Sequence, residues 1–100
     1  QLFAHSLALY RELDDGWGMS LALSWLGTVA RLQGGYGEAR QLLEECLTIS
    51  QVLGDQIRIA WSIAKLAHVA TRQGRFEEAE HLARDVRARS QELGHQEITA

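Results

Sequence analysis

A 40-residue period constrains this chain more than any other feature of its sequence. Sliding the chain against itself by 40 positions pairs residues 1–60 with 41–100 without a gap, and 19 of the 60 pairs are identical. Leu26, Val29, Ala30, Gln33, Gly34, Glu38, Ala39 and Leu42 fall on Leu66, Val69, Ala70, Gln73, Gly74, Glu78, Ala79 and Leu82. Ser50, Gln51, Leu53, Gly54 and Gln56 fall on Ser90, Gln91, Leu93, Gly94 and Gln96. A fixed period of roughly 20–50 residues marks a solenoid or a related array, in which each unit buries its apolar face only by stacking on its neighbours.

Each period holds two helical segments. From Trp17 to Gln33 the apolar positions Met19, Ala22, Leu23, Leu26, Val29 and Ala30 follow the three-and-four spacing of an amphipathic helix, and Ile59, Ser62, Ile63, Leu66, Val69 and Ala70 repeat it. A second segment is expected from Tyr36 to Leu53 and from Phe76 to Leu93, with a counterpart from Leu2 to Leu13. Gly34, Gly54, Gly74 and Gly94 stand where a left-handed residue ends a helix. Asp15 and Asp55 are placed to cap the next helix with a carboxylate, and Glu38, Glu77 and Glu78 put negative charge in a first turn, where the dipole favours it. Proline, which would interrupt the helical hydrogen bonds, is absent. Connections this short force antiparallel neighbours. The expected fold is all-α, about five helices stacked as helix-turn-helix repeats. Residues 1–14 form the second helix of a preceding repeat, 15–54 and 55–94 two full repeats, and 95–100 the start of another.

These residues resemble a tetratricopeptide repeat. The family's leucine and small residue of the first helix match Leu26-Gly27 and Leu66-Ala67, and its turn glycine and aromatic match Gly34 with Tyr36 and Gly74 with Phe76. The alanine that opens the second helix matches Ala39 and Ala79, followed by the small or apolar Cys46 and Val86. The resemblance implies a right-handed α-solenoid in which Gly27 faces Ala39, and Ala67 faces Ala79, where the helices cross. The family's usual period is 34 residues. The 40-residue variant, with Leu53-Gly54-Asp55 closing the second helix, is similar to repeats of kinesin light chains and of arrays appended to large bacterial regulators. Many extended repeats carry an asparagine just before the leucine and small residue. Here Trp25 and Lys65 occupy that position.

A solenoid of helix pairs exposes the first helix of each pair on its concave side. Opposite the core stripe lie Leu21, Ser24, Trp25, Thr28 and Arg31 in one unit, and Trp61, Lys65, His68 and Arg72 in the next. Aromatics mixed with cations suit a groove for an acidic or amphipathic protein segment. The competing reading is that the tryptophans only pack against adjoining repeats and the cations form a solvated edge.

Other constellations carry less. His68 has no second metal ligand at helical spacing, and Glu77, His81 and Asp85 read as a charged face rather than a zinc site. Cys46 falls on the core face as a structural thiol. Arg84, Arg87 and Arg89 suit a helix C-terminus. The glycine-rich Gly34–Gly37 and Gly16–Gly18 stretches lack the strand and the lysine-serine pair of a phosphate loop. No nucleophile-base-acid set is present, so neither an enzyme nor a cofactor is expected. A net charge of −3 argues against a general nucleic-acid binder. No apolar run approaches the roughly 20 residues of a membrane span, and a single cysteine fits a reducing, cytoplasmic compartment. The chain starts at Gln1 without methionine, so its true N-terminus is expected to lie upstream. The expected role is a protein-protein interaction scaffold within a larger regulatory protein, its concave face holding a peptide segment or another domain. The alternative is self-association through exposed repeat ends.

Overall fold

The computed structural model describes the backbone of residues 2–99 and the side chains of 5–94. Five helices follow one another: α1 (Leu2–Glu12), α2 (Gly16–Leu32), α3 (Tyr36–Leu53), α4 (Gln56–Arg72) and α5 (Phe76–Thr99). No strand occurs among the described residues. Each helix packs on the next in sequence, and α2 also meets α4. The first helices of consecutive units, α2 and α4, thus form one row, and α1, α3 and α5 the other. The radius of gyration, 14.2 Å, exceeds the about 13 Å of a compact 100-residue domain, and the body is a slab 41 × 35 × 17 Å. That shape is what stacking in one dimension produces.

The helix boundaries have local causes. Asp15 and Asp55 are extended N-caps whose carboxylates accept from the amides of Gly18 at 3.0 Å and Arg58 at 3.2 Å. Gly34, Gly54 and Gly74 have φ of 83°, 70° and 76°. The left-handed residue lets two amides fold back onto the helix end: Gly34 N–H donates to Arg31 O, and Gly35 N–H to Ala30 O. The pattern recurs after α1 around Asp14, which aligns with Gly54 and takes φ 52°. Aspartate is one of the few residues with a side chain that tolerates that region, and reading glycines alone missed it.

Gly94 behaves differently from the expectation placed on it. α5 continues through Gly94 to Thr99 instead of ending at Leu93. The residue after Gly54 is the capping Asp55, whereas the residue after Gly94 is His95, which brings no carboxylate to start a new helix. The side chains from 95 onward lie outside the described residues.

Two apolar clusters run between the rows. Leu7, Ala22, Leu23, Leu26 and Cys46 form one, joined by Tyr10 and Met19. Ala30, Ala39, Leu43, Leu66 and Val69 form the other. Where α2 crosses α3, a Cβ on Gly27 would stand 2.8 Å from Leu43 Cγ and 3.6 Å from Ala39 O, so the crossing has no room for a side chain there. Cys46 is buried and free, as expected of a structural thiol. Its thiol donates to Ser20 O at 3.2 Å.

Candidate functional site

The groove between α2 and α4 gathers most of the expected stripe. One cavity of about 270 Å³ is lined by Leu21, Ser24, Trp25, Asp55, Ile57, Arg58, Trp61, Ser62 and Lys65. A second, sharing Trp25, Trp61 and Lys65, continues along the helices past Thr28, Arg31, Ala64 and His68. Leu21, Ser24, Trp25, Thr28, Arg31, Trp61, Lys65 and His68 are therefore brought together, and Arg72 lines neither cavity. Arg72 stands one turn beyond His68 on the same helix.

Lys65 is the centre of the site. Its Nζ donates across the groove to Ser24 Oγ at 2.6 Å and to Thr28 Oγ1 at 3.2 Å, and lies 5.8 Å from the Trp25 ring centroid. Burial pushes its pKa down, and repulsion from Arg31 and Arg58 works in the same direction. The helical spacing explains the gathering: Trp61, Lys65 and His68 recur every three or four residues of α4, as Leu21, Trp25 and Thr28 do on α2.

Arg58, Asp55 and Ile57 are wall residues that the stripe reading missed. Arg58 folds back so that its guanidinium sits 5.5 Å from the Trp17 ring, with Nε 3.6 Å from Asp55. The capping carboxylate was legible, but its position in the cavity wall depends on how α4 lies beside α2. Asp55 is engaged by the Arg58 amide and guanidinium, so it neutralises none of the cations further along.

Charge pairing differs between the two rows. In the row of second helices, Arg11 meets Glu45 of the next helix at 2.6 Å, and Arg40 meets Glu78 of α5 and, at 2.8 Å, Glu44. Arg58, Arg75, Arg84 and Arg89 also meet carboxylates. Among the described residues, Arg31, Lys65, Arg72 and Arg87 form no such pair. Three of these four lie on α2 or α4. Aromatic surface is concentrated beside them: Trp25 is 49% exposed and Trp61 64%.

No group of three or more His, Cys, Asp or Glu among the described residues is placed to hold a metal, and no helix there is long and apolar enough to cross a membrane. A family model described as tetratricopeptide repeat matches residues 18–92. Among curated proteins none matches the chain.

Proposed function

The chain belongs to the tetratricopeptide repeat family, whose repeats are generally protein-protein interaction modules and typically non-catalytic, and from this premise we propose that the α2/α4 groove binds an acidic segment of a partner protein or of another domain of the parent chain. The observation that carries the reading is the pairing asymmetry: in the second-helix row every arginine but Arg87 meets a neighbouring carboxylate, whereas in the first-helix row every cation but Arg58, that is Arg31, Lys65 and Arg72, meets none. Holding a partly buried, unneutralised ammonium costs stability, and an arriving carboxylate removes that cost. Trp25 and Trp61 supply the large, half-exposed surfaces that turn electrostatic steering into affinity. In this reading the module is a scaffold within a larger cytoplasmic regulatory protein.

The test is a double variant, Lys65→Glu with Arg72→Glu, whose helicity and melting are first matched to the parent. Binding to glutamate-rich synthetic peptides is then measured at low and high salt. The parent should bind, weaken as salt rises, and lose at least tenfold in the variant. Equal, salt-insensitive binding by both proteins sinks the proposal.

Self-association is a second reading, favoured by a surface that adjoins the groove and shares Ile57 and Trp61 with it. Ile57, Ala60, Trp61 and Ala64 of α4 and Val86, Ser90 and Leu93 of α5 line a shallow apolar cavity on the α4/α5 face. One period earlier the equivalents of Val86 and Ser90, namely Cys46 and Ser50, are buried.

A further inference from the structure

The groove changes chemistry along its length. α2 and α4 are one period apart and run in the same direction. Toward their N-terminal ends the walls are Leu21, Ile57 and Trp61, and the charges there, Asp55 and Arg58, face each other. Toward their C-terminal ends the walls become Thr28, Arg31, Ala64 and His68, with no carboxylate. Trp25, Trp61 and Lys65 belong to both parts and mark the crossing point.

The two ends therefore ask for different groups. The cavity at the N-terminal end, about 270 Å³ in all, falls just under the roughly 300–1,000 Å³ that houses a whole small molecule, and is better suited to one large side chain. The cationic part offers charges that no carboxylate of the described chain neutralises. A ligand laid the other way would press carboxylates against Leu21 and Ile57 beside Asp55, and would bury apolar surface over Arg31 and His68. Both are unfavourable, the first through desolvation and like-charge repulsion, the second by stranding the Arg31 cation.

Building on the acidic-segment reading of this groove, we infer that the ligand binds with one polarity. An apolar side chain seats between Leu21, Ile57 and Trp61, and carboxylates lie further along, against Lys65, Arg31 and His68. Trp61 and His68 are seven residues apart, about 10 Å along α4 at about 1.5 Å per residue. The partner segment thus keeps its apolar anchor and its acidic residues in separate blocks, about three residues apart in an extended chain. Segments that intersperse the two kinds of residue are rejected.

Two synthetic peptides of identical composition test this. One carries leucine and phenylalanine at one end and a block of four glutamates starting three residues on; the other intersperses the same residues. Affinities for the chain are measured at low salt, and a nitroxide is placed in turn at each end of the block peptide while amide signals are followed. The block peptide should bind at least tenfold more tightly. The label at its apolar end should broaden Ile57 and Trp61, and the label at its acidic end Arg31 and His68. Equal affinities, or a label that broadens both sets from either end, overturn the polarity while leaving the acidic groove standing. Failure of both peptides to bind overturns the groove reading and the polarity with it.

Discussion

Lys65 of α4 donates to Ser24 Oγ of α2 at 2.6 Å, joining the inner helices of consecutive units through the same ammonium that offers its charge to the groove. The opposite row makes its inter-repeat ties with ion pairs, Arg11 to Glu45 and Arg40 to Glu78. A hydroxyl satisfies a donor without cancelling its charge, so the tie through Ser24 and Thr28 leaves Lys65 positive and available.

Replacing Lys65 with methionine separates these two roles. The variant loses two hydrogen bonds but also loses a charge that burial penalises, and it keeps an apolar stem. Stability at neutral pH should stay within about 1 kcal/mol of the parent, a melting shift below about 4–8 °C. Affinity for glutamate-rich peptides should fall at least tenfold. A larger loss of stability would make Lys65 a structural tie first.

The same substitution has a signature at high pH. The Lys65 pKa is lowered in the folded chain from its ordinary 10.5. Between the lowered value and 10.5 the unfolded state holds more protons, so stability rises with pH in that window. Urea denaturation of parent and Lys65→Met from pH 7 to 10.5 should show the parent gaining on the variant only toward the upper end. A difference that stays constant across the range would remove burial as the cause.

At the acid side the test moves to Glu78. The hydrogen bond from Arg40, helped by its charge and that of Arg75, holds the Glu78 carboxyl below its ordinary 4.5. A lowered carboxyl stabilises the fold above 4.5 and loses that contribution as pH falls through the folded value. Both side chains are partly exposed, so the pair is worth about 0.2–1 kcal/mol. Glu78→Gln should be less stable than the parent at pH 6, and the gap should close by pH 3. A gap unchanged at pH 3 would point to lost packing instead.

Much of this was legible in the chain itself. The span expected from Tyr36 to Leu53 is α3, because its start follows Gly34 and its end precedes Gly54, and both glycines take the left-handed conformation. Periodicity placed Leu21, Trp25, Trp61 and Lys65 on one face, since helical spacing alone decides which residues share a stripe. It did not reveal that the Arg58 guanidinium turns back over Trp17 of the preceding unit, nor that Asp55 and Ile57 join the cavity wall. Those outcomes depend on how two helices forty residues apart lie against each other, which a stripe cannot encode. Gly94 shows the same limit: one residue type at equivalent positions ends α3 but lies within α5.

Two helical glycines should therefore respond oppositely to alanine. At Gly27 a methyl group would meet Leu43 Cγ at 2.8 Å, and overpacking costs about 1–3 kcal/mol, more than the up to about 1 kcal/mol gained in helix propensity. Ala39→Leu, on the facing helix, should cost about 1–3 kcal/mol for the same reason. A Cβ added at Gly94 would meet nothing within 4 Å among the described residues, so Gly94→Ala should stabilise α5 by up to about 1 kcal/mol. Chemical denaturation gives the signs directly. A destabilising Gly94→Ala would mean that the chain breaks there in a left-handed turn.

The last prediction separates groove binding from self-association. Cys46 and Ser50 of α3 are fully covered, with Cys46 Sγ 3.4 Å from Ser62 Oγ of α4. One period later their equivalents, Val86 and Ser90, line an open apolar cavity with Leu93, Ile57 and Ala60. Arrays of stacked repeats need polar outer faces to remain apart, and this face is apolar. Sedimentation of the chain should therefore show a monomer at micromolar concentration and dimers or larger species toward millimolar. Val86→Glu places a carboxylate in that cavity, on α5 rather than on either helix of the groove, and should shift the association to at least tenfold higher concentration. Its affinity for glutamate-rich peptides should match the parent's. Trp25→Ala, in the groove and outside the α4/α5 cavity, should do the reverse. If Val86→Glu weakens peptide binding as much as association, the two surfaces act as one site and the separate-groove reading fails. If association is unchanged by Val86→Glu, the contact between copies lies elsewhere than on the α4/α5 face.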